Sequence, residues 1–216
     1  MTTGRIVTVA VQGRISGGRG PMGGPGGNVE SVGTFADAVA MDVLDSAPGT
    51  GKIRLDDRDQ STWLKWQAPM AALAPSQEDY SWFEDAGGTR WVLAASEPTV
   101  EMLGAVGGAT NDAAAIQAAL NFVAPAAISD NGDVRQVRLS QREYTIASDL
   151  TVPTNTRLVG DRATINANSG AAIRLGGTVG NIHRYSGLVG IKVVGQVTGG
   201  IDLDGTPVST NLVVVD

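Results

Sequence analysis

Hydrophobic and polar positions alternate along most of this chain, and helical spacing appears in only two places. Residues 5–11 are β-branched and apolar at alternate positions, with Val7, Val9 and Val11 on one face, and predict a strand. The glycine tract follows at once, so this strand has no hairpin partner and needs another chain or a partner surface. From Thr34 to Asp45 the spacing of Phe35, Ala38, Val39 and Val43 predicts a helix capped by Thr34 and ended by Pro48 and Gly49. It suits either a three-stranded seam or half of a small core. Strands are predicted at 52–55 and 62–66, and a hairpin joins 80–83 to 90–93 through a turn at 86–88.

The second helical pattern begins after Thr110, Asn111 and Asp112, which supply cap side chains worth about 1 kcal/mol. Ile116, Ala119, Leu120 and Val123 form its buried stripe, and the intervening alanines suit a tightly packed helix. A polar loop at 129–133 follows. Beyond it short β-branched strands recur at 137–139, 144–146, 150–152, 156–160, 163–166, 172–175, 190–194, 200–203 and 211–215, punctuated by glycine, asparagine and aspartate, with no helix between them.

Composition sharpens this picture. The 216 residues carry 29 glycines against four tryptophans, three tyrosines and three phenylalanines, which favours a turn-dense, repetitive architecture. Trp63, Trp66, Trp82 and Trp91 cluster at alternating strand positions and read as a local core. The net charge of −6 disfavours nucleic acid and an anionic membrane surface as partners, because phosphate binding needs a basic face. Without cysteine there is no disulfide or thiolate site, one histidine makes zinc catalysis a poor reading, and no metal or other cofactor is implied. Ile6 to Val11 is too short for a signal or a membrane span, so assembly in the cytoplasm is expected.

Residues 17–28 hold four consecutive Gly-X-Y triplets with Gly17, Gly20, Gly23 and Gly26 in register. Only glycine fits the axis of a collagen-like triple helix, although four triplets also suit a flexible linker; in either form a slender stem follows the first strand. The match to a dinucleotide fingerprint at Gly18, Gly20 and Gly23 is rejected, because Pro21 removes a phosphate-binding N–H and no helix opens after it. Asp56, Asp57 and Asp59 read as a solvated turn that lacks the glycine and closing glutamate of a calcium loop.

Residues 100–121 carry the strongest signal, a Leu-Gly-Ala-Val-Gly turn leading into Thr-Asn-Asp-Ala-Ala-Ala-Ile-Gln-Ala-Ala. This resembles the opening motif of pectate-lyase-like β-helix proteins, phage tailspikes in particular, in which an amphipathic helix caps the open end of the β-helix. The stretch from Tyr144 to Gly160, with Val152, Pro153, Asn155 and Thr156, is similar nearly residue for residue to a stretch characteristic of the same family. Gly107-Gly108-Ala109 stands where the family has Gly-Asp-Gly, and Asn111-Asp112 where it has two aspartates.

The resemblance covers 100–216 and implies a mainly β chain in three parts. These are a virion-anchoring strand and stem at 1–28, a small tryptophan-rich α+β neck module at 29–97, and at 98–216 a capping helix with the first coils of a right-handed parallel β-helix. Asp112, Ile116 and Leu120 would form the cap. At about 20–25 residues per coil, residues 134–216 make roughly three to four coils. The apolar strand at 212–215 has no polar cap, so continuation past 216 or a covering partner is expected.

The implied function is structural: a homotrimeric tail fibre or tailspike in the virion, docked on tail, baseplate or collar proteins through 1–28 and supporting recognition of a host surface glycan. The alternative is the N-terminal part of a glycan depolymerase whose active site lies beyond residue 216. Within the chain the carboxylate candidates for such chemistry are Asp202 and Asp204, two apart on one strand face. An Asp-Xaa-Asp in a terminal coil is more often a solvated ladder edge, and His183 and Arg184 read as surface residues.

Overall fold

The computed structural model describes residues 29–41, 51–66, 73–124, 134–168, 171–175, 186–195 and 201–203. The strand and stem expected at 1–28 lie outside the described residues.

The first element is strand β1 (Val29–Ser31), followed by helix α1 (Phe35–Val39). Thr34 and Asp37 close a capping box, with the Asp37 N–H donating to the Thr34 hydroxyl and the Thr34 N–H donating to the Asp37 carboxylate. The helix is shorter than the sequence predicts, since Ala40 is already its C-cap. The carbonyls of Val39 and Met41, which further helical turns would use, accept instead from Ala86 and Gly87 at 2.9 and 3.3 Å. Val43 lies outside the described residues.

Strands β2 (Lys52–Leu55), β3 (Ser61–Lys65), β4 (Trp82–Glu84) and β5 (Arg90–Leu93) complete a sheet in the order β1-β2-β3-β5-β4. It is antiparallel except where β1 runs parallel to β2. Alternation sets its inner face, burying Ile53, Leu55, Trp63, Trp91 and Leu93. The rings of Phe35, Trp63 and Phe83 meet at centroid distances of 5.1–6.2 Å. Each buried indole N–H has an acceptor: Ser61 Oγ for Trp63, the Ala74 carbonyl for Trp82, and Asp85 Oδ2 for Trp91.

After a 3₁₀ turn at Glu101–Leu103 comes α2 (Ala113–Val123), and then strands in parallel pairing. They are β6 (Arg135–Leu139), β7 (Glu143–Ile146), β8 (Leu150–Val152), β9 (Thr156–Ala167), β10 (Ile173–Leu175), β11 (Gly187–Gly195) and β12 (Ile201–Leu203). β6 and β7 both lie on β9, β9 lies beside β11, and β8, β10 and β12 form a separate parallel sheet. Each coil therefore adds one rung to each sheet.

The registers align apolar columns from coil to coil. Val137, Leu158 and Leu188 make one, Tyr144, Ile165 and Val193 a second, and Leu150 and Ile173 a third, nearly all of them buried. Single bridges at Thr99 to Arg138 and Asn111 to Thr145 add a partial rung ahead of β6 and β7. The coil from Val137 to Leu158 keeps the expected length, while the one from Leu158 to Leu188 is longer.

Two segments that the pattern separates, 156–160 and 163–166, are one strand, β9, bent at Asp161 and Arg162. In the next coil Gly190 (φ +64°) takes the bend, and a Cβ there would sit 2.0 Å from the Gly160 carbonyl oxygen, so only glycine fits. The expected strand at 211–215 lies outside the described residues.

Candidate functional site

The residues that the sequence singles out in the cap come together around the N-terminus of α2. Ile116 and Leu120 are fully buried, and α2 packs on β6, β8 and β9. Asp112 is buried at the N-cap position, but its carboxylate does not cap the helix as expected. It reaches back to accept from the Val106 and Gly107 N–H groups at 2.8 and 3.1 Å and closes the 106–112 loop. The cap function passes to Asn111, whose Oδ1 accepts from Ala113 N–H at 3.3 Å and from Ala147 N–H at 3.0 Å. One side chain thus serves the helix end and the strand edge after β7.

Gln117 does the same work for β8, and the sequence reading assigned it nothing beyond membership of the motif. Its amide accepts from Thr151 N–H at 2.7 Å and donates to Thr151 C=O at 3.0 Å, the pair of bonds that a neighbouring strand would supply. Among the described strands β8 heads its sheet, and this edge faces α2. The signal that could have found it is a long amide between Ile116 and Ala118 on a helix destined to cover a sheet end.

The helix is also buried beyond its predicted stripe. Ala113, Ala115 and Ala118 are buried as well, and α2 packs against the 3₁₀ turns at Glu101–Leu103 and Pro75–Gln77 in addition to the coils. A stripe read from spacing shows the wider face only, and alanines beside it let the layers approach closely.

Below the cap a buried polar cluster fixes the first coil. The Tyr144 hydroxyl donates to Glu101 Oε1 and accepts from Ser140 N–H at 2.9 Å, while Arg142 Nε lies 3.5 Å from the same carboxylate oxygen. Burial, and then the neighbouring Glu101 carboxylate, push the Tyr144 ionisation far above its ordinary range. Glu101 Oε2 is buried without a hydrogen-bond partner. Tyr144 is 0% exposed, while the Arg142 side chain reaches the surface.

The three expected aspartates of the 56–60 turn are not simply solvated. Asp57 accepts from the Phe35 N–H, Asp56 from the Ser31 hydroxyl, and Asp59 from the Thr99 hydroxyl at 2.8 Å. Each ties the turn to a different segment.

Of the carboxylates considered for glycan chemistry, Asp202 lies on β12 with Arg174 as its register partner, and Arg174 is paired with Asp149 at 3.0 Å. Asp149 is held below its usual pKa by the Ala172 N–H and then by Arg174. Arg174 and Asp149 thus form an ion pair between neighbouring coils. Asp204, His183, Arg184, Val7, Val9, Val11, Gly17, Gly20, Gly23 and Gly26 lie outside the described residues. Among the described residues no group of three or more His, Asp or Glu side chains could hold a metal ion, and no helix is long and apolar enough to cross a membrane.

No family model and no curated protein matches the chain. Among solved structures it is similar to the crystal structure of Acinetobacter baumannii phage AM24 tailspike protein, at 13% identity and a TM-score of 0.48 over 77% of this chain. The chain spans 33% of that protein's length. A likeness of this size decides nothing about what the chain does.

Proposed function

We propose that the chain is the particle-proximal part of a trimeric phage tail fibre or tailspike, with 98–216 forming the cap and first coils of a right-handed parallel β-helix. The observation that carries this reading is the coil register. Tyr144, Leu150 and Leu158, from the stretch similar to one characteristic of the family, occupy three interior columns, and α2 closes the stack ahead of them. A stack closed at its near end by a helix suits an element that carries something beyond itself. Its work is mechanical: residues 1–28 dock on the particle through Val7, Val9 and Val11, and the glycine register at 17, 20, 23 and 26 joins three chains.

Light scattering of the purified chain tests the trimer, which should weigh three times 22.2 kDa. A stable monomer would sink it. Removing residues 1–28 should leave a folded protein that no longer enters particles; normal incorporation would move docking to the tryptophan-rich module.

A further inference from the structure

The buried apolar cluster does not stop where the neck sheet ends. It runs from Ala38, Leu55 and Trp63 through Val100, Leu103, Ile116 and Leu120 to Leu158 and Ile165. α2 lies within it, packing against β6, β8 and β9 and also against the turn at Pro75–Gln77, with Ala114 and Asn121 the exposed positions of the helix. A helix that merely shields a solenoid from water needs one apolar stripe, whereas a helix buried over most of its circumference and touching both the coils and the neck is core that the two share.

A second set of contacts crosses the same boundary. The Arg58 guanidinium lies 3.9 Å above the Phe35 ring and donates to the Asp79 carbonyl at 3.1 Å. Its other side meets Gly104, where φ is +99° and a Cβ would lie 3.0 Å from Arg58 Cζ. Asp59 accepts from the Thr99 hydroxyl beside it. Asp59, Gln60 and Asp79 hold left-handed backbone here, which aspartate accepts in turns and glutamine adopts less readily.

We propose that the neck sheet and the coil stack fold and unfold as one body, with α2 as their shared core and the Arg58–Gly104 contact as the clamp. The module upstream then fixes the direction in which the coils point and cannot swing on residues 94–99. The inference stands on packing and is independent of what the chain attaches to.

The tryptophans make it testable in the whole chain. Trp63, Trp66, Trp82 and Trp91 all lie in the neck module and none lies in the coils, so their fluorescence reports the neck alone. Exchange protection of amides in β6 and β9 reports the coils. In a urea series, run at two protein concentrations tenfold apart to separate this coupling from subunit association, both signals should be lost at the same midpoint. Arg58→Ala, and the milder Thr99→Val should the first variant fail to fold, should lower both midpoints by equal amounts. Native-state protection in β3, β5, β6 and β9 should fall together, by about tenfold. Loss of the tryptophan signal at lower urea, with β6 and β9 still protected, would overturn the proposal. So would variants that shift only one of the two midpoints.

Discussion

Tyr144 lies in the interior of the first full coil and is tied to a carboxylate from the preceding 3₁₀ turn. Its folded hydroxyl holds its proton more tightly than the unfolded one, which ionises near about 10. The resulting stabilisation is therefore fully present below that pH and is lost as pH rises above it. Tyr144→Phe should cost about 1–3 kcal/mol at neutral pH, because the buried Glu101 carboxylate loses its donor. The variant should also flatten the fall in stability above about pH 10. Urea titrations of both proteins from neutral to alkaline pH check this; parallel curves would mean that the hydroxyl is not the titrating group. Tyr144 was legible from sequence as an apolar-column residue. Its polar partner was not, because Glu101 comes from a segment far back in the chain and reads as an ordinary surface acid.

At the scale of elements, α2 serves two needs of the first coil. Ile116 and Leu120 cover the apolar interior, while Asn111 and Gln117 satisfy backbone groups that have no strand ahead of them. Gln117→Leu should cost about 1–2 kcal/mol, since Thr151 is partly buried and loses both of its partners. Gln117→Glu separates shape from chemistry. A protonated glutamate can still donate to Thr151 C=O, so this variant should regain stability as pH falls through the ordinary glutamate range of about 4. Chemical-denaturation midpoints at neutral and acidic pH, with the exchange rate of the Thr151 amide, check both variants. An unchanged Thr151 rate in Gln117→Leu would mean that water replaces the amide at no cost. The length of α1 belongs to this scale too: its periodicity continues to Val43, and pairing of Val39 and Met41 with the 86–87 turn ends the helix earlier.

For the whole molecule the proposed role is to attach, orient and extend. Arg174 on β10 pairs with Asp149 ahead of β8, an arrangement that suits an ion pair between coils and not an acid and base poised across a sugar. The chain as given should therefore release no reducing ends and no unsaturated uronates from capsule or lipopolysaccharide of a susceptible host. Release that Asp202→Asn or Asp204→Asn abolishes would replace the mechanical reading with an enzymatic one.

Strand positions in the coils and the neck hairpin follow from local alternation, as do the Thr34 cap and the start of α2, and such signals need no knowledge of distant contacts. Alignment between coils was legible only as an expectation of repeat length, because stacking depends on loops whose lengths vary, as the longer step from Leu158 to Leu188 shows. Tertiary structure alone decided what the polar residues do. Asp112 turns to a loop and not to its helix, Gln117 stands in for a strand, Asp59 and Arg58 reach the 99–104 segment, and α2 touches the neck turn at 75–77 as well as the coils. The reason is physical: an apolar side chain declares its destination by its spacing, whereas a polar one takes whichever unpaired group the assembled fold brings within about 3 Å.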